Sequence, residues 1–273
     1  IELWCWDHDA DIVVDRIVKL PRIGAMRVLY GHAFGLWARL RAWWKFKIKK
    51  EPRPDVIYTV AWFLPDCDVC HVHFSPWDWE KRQRMLGTRS PRDFIERSSN
   101  RLGRWIADRF LRRTTATRIL CVSDAVAQDV REASPRCGDV LRVLPNSFDP
   151  ARFNPDVRST HRVAMRGKLG FAEEDHVFIF VSTGHYRRKG FFLAAESIAK
   201  LRERSASAKL LVVGGSESRL SELQSELDRQ FPGWRAFMTF TGNVTDVERH
   251  FAAADALLFP SYSEAFALVE VET

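Results

Sequence analysis

The 273-residue sequence contains no apolar run approaching the ~20 residues that carry a helix across a bilayer, so no transmembrane helix is expected. It opens on "IELWCWDHDAD" without a basic start and a following apolar stretch, so no signal peptide is expected either. Ile1 stands where a natural chain would have methionine, which sets the expectation of a start further upstream. Cysteines are few and odd in number (Cys5, Cys67, Cys70, Cys121, Cys137). They are too scattered for a disulfide framework and suit reduced thiols in a cytosol. Internal repeats and low-complexity tracts are lacking too. What is present is the composition of a folded protein, 46% hydrophobic and 12% aromatic. The length suffices for two cores of roughly 100 to 150 residues each.

Charge is unevenly placed. Residues 1 to 150 hold 26 Lys and Arg against 19 Asp and Glu, whereas residues 151 to 273 hold 16 against 16, so the whole formal charge of +7 lies in the first half. Residues 81 to 118 alone carry twelve basic and three acidic side chains in a helical pattern. A second stretch, "MRVLYGHAFGLWARLRAWWKFKIKK" (residues 26 to 50), places Leu29, Ala33, Leu36/Trp37, Leu40, Trp43/Trp44 and Ile48 at helical spacing. Arg39, Arg41, Lys45, Lys47, Lys49 and Lys50 crowd its C-terminal half. Core packing accounts for such a stripe, and so does contact with an anionic membrane surface. No nucleic-acid-binding motif is recognisable, so nucleic acid is not expected as a partner.

Short Val/Ile/Leu-rich strands are predicted near 2–6, 12–19, 55–61, 68–74, 117–122, 140–144, 176–183, 209–213, 237–240 and 256–259, with helical patterns between them. That alternation predicts α/β architecture with parallel sheets of doubly wound type. "PNSFDPARFNPDVRSTH" (145–161), with three prolines, marks the division into an N-terminal domain, 1–155, and a C-terminal domain, 156–273, facing an interdomain cleft.

In the second domain "VFIFVSTGHYRRKGFFLAAESIAKL" reads as strand, glycine-containing loop and helix, with Arg187, Arg188 and Lys189 at the carboxyl edge of the sheet, where open α/β folds bind ligands. Three cations ahead of a helix are unfavourable unless an anion joins them. Thr245 and Glu248 have the spacing of a capping box. A helix beginning near Phe266 would leave Glu264 in the loop before it and Glu272 in its second turn. At about 1.5 Å per residue the two carboxylates would be ~12 Å apart. Free N–H groups at that helix start suit a diphosphate.

"SEAFALVEVE" resembles the E-x7-E element of retaining GT-B glycosyltransferases of family 4, with Glu264 and Glu272 in the two acidic positions. Further landmarks follow in the family's order: "CVSDAVAQDV", "VLPNSFDPARFNP", "RRKG", "FTGNV" and "AAADALLFPSYSEAF". The short link from "PDVIYTVAWFLP" to "CDVCHVHFS" is most similar to the lipopolysaccharide-core glucosyltransferase branch. The resemblance implies transfer of a sugar from a nucleotide-diphosphate donor, a UDP- or GDP-sugar, to a glycan or lipid-linked acceptor with retention of configuration. It implies neither cofactor nor divalent metal, and a place in cell-envelope polysaccharide or lipopolysaccharide synthesis on the inner, cytoplasmic face of the membrane. By the same resemblance Glu264 binds donor-sugar hydroxyls, Glu272 the ribose, and the backbone of Phe266, Ala267 and Leu268 the diphosphate. Arg188 and Lys189 neutralise the leaving group, Asn243 and Val244 line the base pocket through their main chain, and His73 lies beside the transferred sugar. Trp77 and Trp79 are candidate stacking surfaces for an acceptor. The chain departs from the family in carrying Gly184 where many members have arginine, and Ala265 and Ala267 where glycines are common. It also lacks the family's opening strand with its glycine-rich loop, and the strands and crossover helix after Glu272. The expectation is therefore a fragment without full activity.

Three rival readings rest on other residues. Asp7-His8-Asp9 and Asp66-Cys67-Asp68 spell the D-x-D of metal-dependent glycosyltransferases, and Cys67-x-x-Cys70-His71 spells a haem-attachment signal. In a strand, however, Cys70 points opposite to His71 and His73. No second cysteine pair completes a zinc site. The third rival is a non-catalytic basic protein that binds membranes or nucleic acid.

Overall fold

The computed structural model describes residues 1–5, 13–20, 30–85 and 91–273. The chain forms two compact units, Ile1–Pro145 and Asn146–Thr273.

In the first unit β1 (Glu2–Cys5) and β2 (Arg16–Lys19) pair in parallel, Leu3 opposite Ile17. Helix α1 (Tyr30–Trp43) continues into a π turn, Trp44–Ile48. A four-stranded parallel sheet follows, in the order β3 (Tyr58–Val60), β4 (Val69–Val72), β5 (Arg118–Cys121), β6 (Leu141–Val143). Helices α2 (Pro76–Met85) and α3 (Pro91–Arg113) connect β4 to β5, and α4 (Asp124–Ala133) connects β5 to β6. Ser123 caps α4 by accepting a hydrogen bond from Val126 N–H at 3.3 Å. Cys70, Val72, Ile119 and Cys121 are wholly buried on the sheet.

The amphipathic stripe of α1 faces the other way from core packing. Its small residues, Gly35, Ala38 and Ala42, are buried, and a Cβ on Gly35 would approach the Phe63 ring to 3.0 Å. The large ones, Leu36, Leu40, Trp43, Trp44 and Ile48, are 46% to 62% exposed. Small residues let the helix lie close on the 58–63 segment, which turns the bulky face outward. Half of the cations expected beside that face are drawn inward. Arg39 donates to the carbonyls of Phe63 and Trp62, Lys45 pairs with Glu2 at 2.7 Å, and Arg41 lies over the Trp4 and Trp37 rings. Lys47, Lys49 and Lys50 are the exposed ones. Leu29, Asp7, His8, Asp9 and Arg89 lie outside the described residues.

The second unit opens on α5 (Pro155–Leu169), capped by Asn154 and closed by Gly170 at φ +74°. Strands β7 (His176–Val181), β8 (Ala208–Val213), β9 (Met238–Gly242) and β10 (Ala256–Leu257) form a parallel sheet ordered β10-β7-β8-β9. Helices α6 (Phe191–Arg202), α7 (Glu217–Gln230) and α8 (Val247–Ala253) connect them, and α9 (Leu268–Glu272) ends the chain. Side chains alternate along the strands and build a core on each face. Phe180, Leu210 and Val212 pack with Phe191, Ile198 and Leu227 on one side. Val177, Ile179, Leu211 and Val213 pack with Phe171 and Phe251 on the other.

Arg158, Arg162 and Arg166, one helical turn apart on α5, reach the C-terminal carbonyls of α8. Arg158 and Arg162 donate to Ala254 O at 2.6 and 2.9 Å, and buried Arg166 donates to Ala253 O at 3.1 Å. Asp255 accepts from Arg162 and from Val177 N–H, tying the cluster to β7. Cations at a helix C-terminus satisfy its orphan carbonyls and oppose its dipole. The capping box expected at Thr245 and Glu248 does not form. Helix α8 starts at Val247 after Asp246, which makes Glu248 the second helical residue instead of the third, and Glu248 accepts from Arg152 at 2.6 Å, an arginine that also donates to Thr245 O.

Candidate active site

Since β7 has β8 on one side and β10 on the other, chain direction switches there, and the loops after β7 and β10 leave the sheet edge side by side. Crevices at such switch points are where parallel sheets bind ligands. The loop after β7 carries Gly184, His185, Tyr186, Arg187, Arg188 and Lys189, and the loop after β10 carries Ser261, Ser263 and Glu264.

The two loops are strapped together by backbone. Tyr262 N–H donates to Arg188 O at 2.9 Å, and Ser261 Oγ lies 3.3 Å from the same carbonyl oxygen. Gly190, at φ +77°, sits so close that a Cβ would lie 1.9 Å from Pro260 O. A third loop, Gly214-Gly215 after β8, is held by Tyr186, whose hydroxyl donates to Gly214 O at 3.0 Å. Asn243, after β9, accepts from Gly215 N–H at 2.8 Å through its side chain. The Asn243 side chain thus joins two loops, while Val244 packs into the core.

On this frame Lys189 Nζ meets Glu264 Oε1 at 2.5 Å, and Ser261 Oγ donates to the same oxygen at 2.6 Å. Burial lowers the Lys189 ammonium below the ordinary lysine range, and pairing with Glu264 offsets part of that. Arg187 is turned away, paired with Glu226 and lying over the Phe192 ring. His185 is held below the ordinary histidine range first by burial, then by the charges of Arg188, Lys189 and Arg219.

The helix of the E-x7-E segment begins two residues later than the start expected near Phe266. Only Leu268–Glu272 is helical, after Ala267 at the cap position, so the rise of a full helix does not set the Glu264–Glu272 separation. Leu268 N–H donates to Phe266 O at 3.1 Å. Glu272 lines a groove of about 450 Å³ together with Arg152, Arg158, Phe148 and Phe251. Burial there raises its carboxyl above the ordinary range, with Arg152 opposing.

In the first unit His73 is exposed just past β4, and its ring centroid lies 4.1 Å from that of His71. Tyr58 and His71 share a 2.5 Å hydrogen bond through Oη and Nδ1. The haem-type motif is divided between faces, since Cys70 is fully buried and donates to Ala61 O. Burial pushes the Cys67 thiol up to about 11. Asp68 accepts from Ile57 N–H and Arg53, a structural role for one half of the second D-x-D. Trp79 is 5% exposed. It is a core residue, which corrects its reading as an acceptor surface, because α2 turns the face carrying Pro76, Trp79 and Gln83 inward rather than to solvent. Trp77 is partly buried, its indole N–H on Asp108 and its ring against Trp62.

Sequence reasoning did not single out His185, Tyr186, Arg219 or Ser261. The glycines of "VVGG" and "STGH" were the available signal that these loops approach one another.

Residues 175–273 match the family described as "Glycosyl transferases group 1". Lipopolysaccharide glucosyltransferase WaaG of Escherichia coli K12 is 28% identical over 158 residues, 58% of this chain and 41% of WaaG. Sulfoquinovosyl transferase SQD2 of Arabidopsis thaliana is 26% identical over 168 residues, 62% of this chain and 30% of SQD2. The matched stretches of sequence thus span less than half the length of these relatives. Among solved structures, WaaG superposes with a TM-score of 0.67 at 20% identity, covering 99% of this chain and 69% of WaaG. Anabaena HepE, solved in complex with UDP-glucose, superposes at 0.51 and 20% identity, covering 76% of this chain and 57% of HepE. The second unit thus resembles the group 1 glycosyltransferases over residues 175–273, and the fold of the chain is GT-B.

Proposed function

We propose that the chain is the core of a glycosyltransferase that moves a sugar from a nucleotide-diphosphate donor to a glycan or lipid-linked acceptor with retention of configuration. The observation that carries this reading is the Lys189–Glu264 pair at the switch point between β7 and β10, with Arg188 on the same loop. A cation and a carboxylate held together at that edge match the two ends of the scissile bond. Lys189 and Arg188 take the diphosphate as negative charge develops on it, and Glu264 accepts from donor-sugar hydroxyls. The Phe266–Leu268 backbone contributes to the diphosphate site, Glu272 to the ribose, the main chain at Asn243 and Val244 to the base, and His73 and Trp77 to the sugar and acceptor side. That HepE was solved with UDP-glucose supports a nucleotide-sugar donor for this chain. No divalent metal is assigned a role, because protein cations stabilise the leaving group.

The test is a screen of UDP- and GDP-sugars for donor hydrolysis and for transfer to glycan and lipid-linked acceptors, with and without chelator. Chelator-insensitive turnover that yields a product of the donor's own anomeric configuration is expected. Inversion, or absence of nucleotide-sugar binding, would sink the reading.

A peripheral membrane contact at the cytoplasmic face belongs to the same proposal, favoured by the outward-facing Leu36, Leu40, Trp43, Trp44 and Ile48 beside Lys47, Lys49 and Lys50. Among the described residues no helix is long and apolar enough to cross a membrane.

A further inference from the structure

We propose that Arg219, on α7, is an additional diphosphate-contacting residue, acting beside Arg188 and Lys189 although it comes from a different loop. The inference rests on the nucleotide-binding reading given above and adds to it a residue from the β8 side of the edge.

Arg219 lies in the first turn of α7, just after the Gly214-Gly215 turn that ends β8. Strand β8 is the immediate neighbour of β7, so the start of α7 and the cation-bearing loop lie side by side. Gly184 in that loop has φ +139°, a conformation that side-chain-bearing residues avoid. A Cβ built there would lie 3.9 Å from Arg219 Cγ. The arginine stem therefore rests against bare backbone, and its guanidinium is supplied where residue 184 itself has no side chain to offer.

The neighbouring residue reports the company Arg219 keeps. His185 feels positive charge from Arg188, Lys189 and Arg219 together, with Glu264 as the opposing carboxylate. Glu264 is already engaged by Lys189 and Ser261. The carboxylate paired with Arg219 is Glu222, three residues along its own helix at 3.3 Å, with its side chain 61% exposed. A pair so open to water restrains an arginine little and gives way readily to a better anion. Three cations from two loops lie about the exposed His185, a setting that favours added negative charge. A diphosphate supplies that charge and offers oxygens on two phosphorus atoms, enough for cations approaching from both loops.

The experiment titrates UDP, GDP and ADP into the 273-residue chain and into Arg219→Ala, Arg219→Lys, Lys189→Ala and Arg229→Ala. Arg229 is exposed near the far end of the same helix and controls for loss of charge alone. The diphosphate that binds the parent chain is expected to bind Arg219→Ala about tenfold more weakly, the worth of one charge-assisted hydrogen bond. Arg219→Lys should recover part of that, and Arg229→Ala should bind normally. Unchanged affinity in Arg219→Ala, alongside a clear loss in Lys189→Ala, would overturn the role of Arg219 and leave the nucleotide site standing. Equal losses in Arg219→Ala and Arg229→Ala would likewise overturn it, since the effect would then be the helix's general field. If no diphosphate binds the parent chain, the nucleotide reading falls and Arg219 falls with it. Should Arg219→Ala fail to fold, Arg219→Lys and Arg219→Gln answer the same question.

Discussion

Lys189 and Glu264 hold each other across two loops that are 75 residues apart in sequence and adjacent at the sheet edge. On the proposed function each is the other's competitor for substrate: phosphate would share the ammonium, and sugar hydroxyls would share the carboxylate. Glu264→Gln removes the negative partner while keeping a hydrogen-bonding group. We expect it to bind nucleoside diphosphate at least as tightly as the parent and to lose most sugar transfer. Lys189→Ala should do the reverse to binding, weakening it at least tenfold, about 1.4 kcal/mol, since the phosphate loses its cation and meets an uncompensated carboxylate. Calorimetric titration of the two variants checks the contrast, and equal losses in both would contradict it.

Because burial lowers the Lys189 ammonium below the ordinary lysine range, its charge is lost earlier on the alkaline side than that of an exposed lysine. Affinity for nucleoside diphosphate should be flat through neutrality and decline as pH rises through this lowered value. Lys189→Arg keeps its charge throughout and should remove the decline. In the linkage direction, the folded state binds fewer protons here than the unfolded state between the lowered and ordinary values. This group's contribution to stability therefore rises with pH across that window. Binding measured as a function of pH on the two proteins is the check, and coincident profiles would count against Lys189.

Two glycines in the same left-handed region should respond very differently to alanine. At Gly170 a Cβ meets nothing within 4 Å, so Gly170→Ala carries only the left-handed backbone strain, roughly 1–2 kcal/mol. At Gly190 the same methyl would collide with the Pro260 carbonyl, forcing the two site loops apart. Gly190→Ala should abolish nucleotide binding even where the unit stays folded, whereas Gly170→Ala should bind normally with a lower unfolding midpoint. Circular dichroism melts and nucleotide titrations on both variants separate strain from loop displacement.

The strands were legible because each is a short apolar run bounded by turn residues, and a buried parallel sheet has no use for other patterns. The position of the cation loop at the sheet edge was legible too, since it follows a continuous apolar strand at a glycine-containing break. Orientation was harder to read. The α1 stripe has helical spacing whichever way it faces, and Gly35, Ala38 and Ala42 decide the matter by packing close to the Phe63 segment. Trp79 shows the same limit, since aromatic residues near a strand end serve a core or a ligand equally well. Arg219 and Tyr186 were not legible, because their roles arise only when separate loops meet.

Arg166 is 6% exposed and donates to the carbonyls of Ala253, Ala172 and Asp175. Replacing it with methionine keeps much of its volume but orphans those acceptors and leaves Asp255 with fewer cations. A loss of about 3 kcal/mol is expected, the scale of breaking one side of a buried charged network. Urea unfolding checks this. The second unit should unfold earlier, while the transition of the first unit stays where it was; a single unshifted transition would show that the α5–α8 contact is carried by its apolar residues instead.

The exposed face of α1 makes the most physically specific prediction about location. Leu36, Leu40, Trp43, Trp44 and Ile48 put large apolar side chains on one side, with Lys49 over the Trp44 ring at 4.1 Å and Lys47 and Lys50 beside them. Indole rings settle at headgroup depth, and each nearby lysine adds about 1 kcal/mol on an anionic surface. The protein should therefore sediment with vesicles of phosphatidylcholine and phosphatidylglycerol and much less with phosphatidylcholine alone. Trp43→Ser with Trp44→Ser should reduce partitioning to both vesicle types, because apolar burial does not depend on lipid charge. Replacing Lys47, Lys49 and Lys50 with glutamine should instead erase the preference for the anionic vesicles and leave the weaker binding intact. Both variants carry substitutions at exposed positions, so their thermal unfolding should match that of the parent. Unchanged sedimentation in both would show that this face serves another contact.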